Sequence, residues 1–371
     1  MEYFRRINYQ YDFIMDLREG LGYKYLSPLE QQAYKIMLDA FSQMASSFDC
    51  SMIDKNIDLM KVVQVVLGDN PFIIYFDKTK IRIEESSIEE RMVLSAGRSK
   101  RQIKTTRSSG RRIILTGVRE KPQADKMIIS LDKKVNRIIS SIKKTSDDDY
   151  SLLISLYKYL QENIIYCKGK NISFVSHNAY GALINGTAVC DGFSSAFSLL
   201  AQKLGYQCML AAGNSAYSMS SYENHAWNII KINNKYYHMD ITWDARKFED
   251  CEAHSFVYFA VNDLDMAADH SWSNKTAPAC SGSDFSYYKK NGLFINNFQQ
   301  LCNSVAFHIK NKINIFQYKF SVDYDYPSKN MGKYAADIIL SEALKYDGRQ
   351  KKISYSWNGK ARCFYARIIS K

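Results

Sequence analysis

The stretch Gly186–Phe197, GTAVCDGFSSAF, sets a cysteine where an extended run (Thr187–Val189) gives way to a helical pattern. A thiol attacks well only as thiolate, and an ordinary cysteine ionises near pH 8.5. The start of a helix offers unpaired N–H groups and a partial positive charge that favour the anion. The same N–H groups can receive the oxyanion that forms when a thiolate adds to a carbonyl. Cys190 meets both conditions by position, yet free cysteine is also among the most buried residue types. A nucleophile and a small core residue are both open until a base is found.

The base comes from HAWNIIKI-NN-KYYHMDITWD, His225 to Asp244. Both halves alternate with a strand period, which puts Tyr236, His238, Asp240, Thr242 and Asp244 on one face. Asn233 and Asn234 tolerate positive φ, so a two-residue turn is expected, pairing Ile232 with Lys235 and His225 with Thr242. Asp240 then lies diagonally from His225 on the same face, where a carboxylate can hold an imidazole in one tautomer. A three-residue turn would place them on opposite faces. His238 and Asp244 share the face, and His225 is preferred because it opens its strand beside the loop Gly213–Asn224. His238 is expected on a polar or semi-buried face. His177, His254, His270 and His308 show no comparable partner pattern and read as structural.

The elements that must carry these groups follow from periodicity and punctuation. Ser27, Pro28 and Glu30 form an N-terminal helix signature ahead of Leu29, Ala33, Ile36, Met37, Ala40, Phe41 and Met44. A second helix is expected over about 57–67, closed by Gly68 and Pro71. Phe72–Phe76 and Arg111–Gly117 read as strands. A third helix, 127–144, shows Ile128, Leu131, Val135, Ile138 and Ile142 on one face. A fourth begins near Ser146. Phe193, Ala196, Phe197, Leu200 and Leu204 continue from Cys190 in helical register, with Gly205 at the expected cap. A strand near 312–324, a helix near 329–346 and strands at 352–358 and 361–369 end the chain, the last two joined by the WNGK turn.

Composition bounds the rest. The chain has 371 residues, 46% hydrophobic and 24% charged, as in soluble globular proteins. No run approaches the ~20 apolar residues that cross a bilayer. The first twenty residues scatter charges and lack a signal-peptide core, so the sequence as it stands is expected to be cytoplasmic, with export by a removed leader left open. Eight cysteines are spread without a C-x-x-C pair or zinc spacing, so reduced thiols, no metal and no cofactor are expected. The net charge of +12 favours acidic partners. Arg98–Lys126 concentrates ten Lys/Arg against two acids. It reads as a solvated hairpin or loop first and as an anion-binding site second. Nucleic-acid binding ranks last, because the stretch lacks interleaved aromatics.

GTAVCDGFSSAFSLLAQKLG, HAWNIIKINNKYYHMDITWD and the earlier HNAYGAL together resemble the core of the transglutaminase-like superfamily, which shares the papain-like fold. YFAVNDLDMAADHSWS downstream resembles bacterial members, where an H-x-W follows. The resemblance spans roughly 150–300. It implies Cys190 as nucleophile, His225 as general base and acid, and Asp240 as the residue orienting it. Tyr180 is the best positioned oxyanion donor, with ring packing as its other reading. Trp227 and Trp243 are candidates to wall the site, with core packing as theirs.

The expected fold is α+β: a papain-like transglutaminase core in which the cysteine-bearing helix packs on an antiparallel sheet. The expected division is 1–126, a helical and β region with the basic hairpin; 127–300, the catalytic core; and 301–371, a small basic α+β unit. The expected chemistry is acyl transfer on amide bonds of a protein or peptide through a thioester. Water as acceptor makes a peptidase, deamidase or other amidase; a lysine amine makes a transglutaminase. Hydrolysis is favoured, because no feature marks a site that admits amine and excludes water. The alternative is a non-catalytic binding scaffold.

Overall fold

The structure is a computed structural model that describes residues 4–8, 14–95, 101–146, 148–169, 172–218, 221–245, 254–273, 276–324 and 330–369. The chain opens with a hairpin, β1 (Phe4–Asn8) and β2 (Ile14–Arg18). Helix α1 (Pro28–Ser42) starts on a capping box: the Ser27 hydroxyl accepts from Glu30 N–H, and the Glu30 carboxylate accepts from Ser27 N–H. Its buried stripe is Ala33, Tyr34, Met37, Leu38 and Phe41, whereas Leu29 and Ile36 face outward. The stripe turns because the Tyr34 hydroxyl reaches inward, donating to Arg18 O at 2.9 Å. β3 (Ser47–Asp49) and α2 (Leu59–Asp69) follow, the latter capped by the Asp58 side chain.

Phe72–Phe76 is not a strand. Residues 73–76 are buried, but this segment bonds to a neighbouring loop, with Arg119 N donating to Tyr75 O. The basic stretch supplies one arm of a hairpin, β5 (Arg101–Ile114), which pairs with β4 (Arg82–Ser95) without a break in register, and its last residues, 121–126, are helical. Residues 98–100 lie outside the described residues. α3 (Lys121–Lys144) buries all five expected apolar positions. α4 (Asp149–Asn163) is capped by Asp148, while Ser146, near which the helix was expected to begin, is buried and bonds Ser155.

β6 (Ile165–Tyr166) then leads to α5 (Ala179–Leu183), β7 (Thr187–Ala188) and α6 (Cys190–Lys203). β8 (Gln207–Ser218), β9 (Ser221–Ile232) and β10 (Lys235–Met239) form consecutive hairpins, followed by the short α7 (Ile241–Asp244). With β11 (Phe259–Val261), α8 (Asp263–Met266) and β12 (His270–Trp272) they complete a five-stranded antiparallel sheet in the order β11-β10-β9-β8-β12. α6 lies against it: Ser194 Oγ donates to Ala226 O, and the Asn228 amide donates to Ser194 O and Ser198 Oγ.

The chain ends with α9 (Tyr287–Lys290), β13 (Phe294–Ile295), α10 (Phe298–Lys310), β14 (Ile315–Phe320), α11 (Met331–Asp347), β15 (Lys352–Asn358) and β16 (Cys363–Ile369). Four of these strands form a sheet in the order β13-β14-β16-β15, covered by α10 and α11 around their own apolar cluster. The principal core runs from α1 and α2 through α3, α4 and α6 to β10. The protein is therefore α+β. No helix among the described residues is long and apolar enough to cross a membrane.

Candidate active site

The turn into α6 is held from behind. Val189 N donates to Ser176 O, and Cys167 N donates to Ala188 O. A side chain at Gly192 would place its Cβ 2.2 Å from Ser176 O, so only glycine lets the helix sit this close. Val189 is extended and no side chain caps the helix, which leaves the positive end of α6 open beside Cys190. Cys190 is half-buried, whereas Cys50, Cys208, Cys280 and Cys363 are buried.

Asn233 and Asn234 have φ of 48° and 64°, and Lys235 pairs with Ile232, so the two-residue turn is present. The predicted strand, however, ends early. The ladder stops at Met239↔Asn228, and Asp240 N-caps α7, its Oδ1 accepting from Trp243 N at 3.1 Å. His225 consequently pairs with Gly213 of β8 and makes no pair with Thr242. Alternation still aims Asp240 at the face carrying His225. The His225 Nε2–H donates to Asp240 Oδ2 at 2.7 Å. The other ring nitrogen is left for the Cys190 thiol, which lines the same cleft and interacts with the imidazole.

Burial alone would lower the His225 pKa. The charge and hydrogen bond of Asp240, with the Cys190 contact, outweigh it and push the imidazole up to about 10. Burial would likewise raise Asp240, but the cationic partners His225 and His270 hold its carboxyl well below the usual range.

Cys190 and His225 line a cleft of about 440 Å³. Its far wall is apolar and comes from Met60, Val63 and Leu67 of α2, with Ile81 beyond. Lys78, in a 3₁₀ turn (Lys78–Lys80), crosses to Asp191 at 3.1 Å, and His177 Nδ1 meets the same carboxylate at 3.1 Å. Burial would raise Asp191, but Lys78 and His177 together hold its carboxyl below the usual range.

The remaining predicted residues sit elsewhere. Tyr180 belongs to α5, packs against the principal core and is not among the residues lining the cleft, because α5 lies behind the turn. Trp227 is fully buried, its ring stacked on that of His225 at 6.0 Å and 21°. Trp243 lies 6.0 Å from the same imidazole. Both back the histidine from within the fold.

Sequence reasoning missed four cleft and support residues. Lys78 lies in a segment that carries no motif. His177 was read as structural, and Asp191 was given no role. His270, read as structural, donates from Nε2 to the same Asp240 Oδ2 at 3.1 Å, thirty residues away in sequence. The only local signal was the H-x-W motif.

A second His–Asp–Cys group, His238, Asp263 and Cys280, has the composition of a catalytic triad and supports enzymatic potential in its own right. His238 is fully buried, deeper than its strand position suggested. Although no metal spacing is visible in the sequence, the fold assembles two groups of metal-ligand composition: this one and His225, Asp240 and His270. In the latter the contacts are 2.7 and 3.1 Å. Ligands of a tetrahedral zinc, bonded at about 2.0–2.1 Å, stand roughly 3.3 Å apart, so this spacing suits shared protons. In the former, the Trp227 indole N–H donates to His238 Nδ1 at 3.0 Å, which keeps a proton on the Nε2 that a metal would need bare.

Residues 136–241 match the transglutaminase-like superfamily. This segment has the transglutaminase/papain-like fold, and the match reaches neither a particular member nor an activity. No curated protein matches the chain. Among solved structures, a transglutaminase is 15% identical with a TM-score of 0.28, over 45% of this chain and 46% of that one. A candidate cysteine protease from Cytophaga hutchinsonii is 16% identical, TM-score 0.26, over 46% of this chain and 69% of that one. A candidate protease from Parabacteroides distasonis is 11% identical, TM-score 0.22, over 44% and 38%. The chain thus spans less than half the length of the first of these.

Proposed function

We propose that the protein is a cysteine-dependent enzyme acting on amide bonds of a protein or peptide, with Cys190 as nucleophile, His225 as base and acid, and Asp240 orienting the imidazole. The supporting observation is His225 itself, which faces a half-buried thiol with one ring nitrogen and a buried carboxylate with the other, at the edge of an open cleft. In this reading the Cys190 sulfur adds to the amide carbonyl and the oxygen becomes an oxyanion at the start of α6. His225 gives its proton to the departing amine, leaving a thioester. Water, deprotonated by His225, then adds to the thioester carbonyl; the sulfur leaves and a carboxylic acid is released. Hydrolysis is favoured over transfer to a lysine amine, because the Cys190 thiol is only half-buried and so within reach of water. Residues 127–300 form the catalytic core in this reading, 1–126 supply the far wall, and 301–371 form a separate unit.

The test is alkylation by iodoacetamide at pH 6. Selective labelling of Cys190 that disappears in His225→Ala supports the enzyme. Equally slow labelling of several cysteines would leave a binding scaffold in its place. Released ammonia, new peptide ends or isopeptide bonds, read by mass spectrometry on peptide amides, separate the acceptors.

A further inference from the structure

Asp240 is shared. Its Oδ2 receives His225 Nε2 at 2.7 Å and His270 Nε2 at 3.1 Å. The His270 ring continues on its other side to Asp269 Oδ1 at 2.7 Å, and the Tyr258 hydroxyl donates to Asp269 Oδ2 at 2.6 Å. The His270 and Asp240 side chains are fully enclosed and that of Asp269 nearly so. A neutral imidazole carries one N–H and one lone pair. Between two carboxylates its lone pair would face an acceptor, with no water to intervene. A ring protonated on both nitrogens satisfies both contacts.

We propose that His270 is a buried imidazolium clamped between Asp240 and Asp269, a positioning residue that pins Asp240 against His225 and sets the pH range of the Cys190–His225 pair. The role rests on the reading of Cys190, His225 and Asp240 given above. Burial works against the charge, and the bonds to Asp240 and Asp269 overcome it, so the His270 pKa is raised. The groups facing the ring are Asp240 at the start of α7, Asp269 next in sequence, His225 on β9 at 5.4 Å between centroids, and the Tyr258 phenol. His238 stands behind Trp227, and Lys360 lines a cavity with Asp269. Two cations on one carboxylate oppose each other. His270 therefore makes His225 give up its proton more readily than Asp240 alone would allow.

The experiment uses the whole chain with ¹⁵N-labelled histidine. Both ring nitrogens of His270 are expected to carry protons from pH 5.5 to 8.5 without titrating. In Asp269→Asn the amide can donate to Nδ1, and His270 is expected to become neutral and to titrate. Removing the charge by His270→Gln, and by His270→Gln with Asp269→Asn to keep the group's net charge, is expected to shift the His225 limb of the pH profile for Cys190 alkylation. The shift is to higher pH, by about one unit. A residue that only packs would lower stability and leave the profile in place. A neutral or titrating His270 in the unaltered protein, alongside selective Cys190 alkylation, overturns this inference alone, as does an unmoved profile in the folded variants. Loss of selective alkylation in the unaltered protein removes the catalytic reading and the positioning role together.

Discussion

Two His–Asp–Cys groups stand on neighbouring strands of one sheet, and the same indole lies between them. His225 on β9 stacks on Trp227, and His238 on β10 accepts that indole's N–H. In the first group the histidine has one nitrogen on a carboxylate and the other toward a half-buried thiol. In the second both nitrogens are committed: Nδ1 accepts from Trp227, and Nε2–H donates to Asp263 Oδ1 at 2.9 Å. That ring can take a proton only by giving up the indole. Burial outweighs Asp263 and lowers the His238 pKa, and burial together with Asp263 raises the Cys280 thiol. Asp263 also accepts from Cys280 N, which fixes the loop. Residue types alone do not separate the two groups. Unspent proton capacity and access to the cleft do.

Exchanging the thiols tests this contrast most strongly. Cys190→Ala is expected to lower amide turnover by about 10³-fold or more, since a nucleophile has no substitute. Cys280→Ala should stay within about threefold. Both are read as kcat/KM on peptide amides, and a reversed pattern would assign the chemistry to the second group.

The histidines should separate next. His225→Ala is expected to slow Cys190 alkylation at pH 6 by about 10²–10⁴-fold, the usual contribution of a positioned base. His238→Gln should leave that rate near its starting value and destabilise the fold by about 1–3 kcal/mol, because the buried Trp227 indole N–H loses its acceptor. A urea midpoint reports the second effect.

Their pH dependences should carry opposite signs. The folded His225 pKa lies near 10, above the ~6.5 of an unfolded chain, so its contribution is complete below about pH 6.5, declines as pH rises, and is gone by about 10. His238 is lowered in the fold, so the unfolded chain binds its proton more readily and stability falls as pH drops through about 6.5. Stability measured from pH 5 to 10 should therefore lose part of its alkaline slope in His225→Gln, His270 supplying a slope of the same sign, and its acidic slope in His238→Gln. Two slopes of one sign would break the contrast.

What could be read from the chain beforehand was local. The Ser27–Glu30 cap, the five buried positions of α3 and the Asn233–Asn234 turn each depend on residues a few positions apart. The end of β10 was hidden because Tyr236, His238, Asp240, Thr242 and Asp244 continue an alternating pattern, and a capping aspartate looks the same as a strand aspartate until its acceptor is used. His270 reaches Asp240 across thirty residues, and Lys78 reaches Asp191 across more than a hundred. Neither partnership can be read within a window of sequence, although the H-x-W motif marks His270 itself. Cys190 and His225 were findable because helix starts and hairpins impose their own spacing.

The smallest expected effect concerns the ion pair across the cleft. Lys78 joins the 3₁₀ turn to the first turn of α6 through Asp191, and both side chains are about a quarter exposed. Such a pair contributes about 0–1 kcal/mol to stability, so Lys78→Met should barely move the urea midpoint. Its place is nonetheless one residue from Cys190, and Lys78 and Asp191 line the same cleft as the thiol. Without Lys78, Asp191 keeps only His177 at 3.1 Å, and the 3₁₀ turn is no longer tethered to the helix. KM is then expected to rise about two- to fivefold with kcat within about twofold, the pattern of a wall that positions substrate without touching the reacting bond. A fall in kcat of tenfold or more at unchanged KM would put Lys78 in contact with the transition state. The first His–Asp–Cys group would then differ from the second by a cation at the reacting bond, as well as by its open thiol.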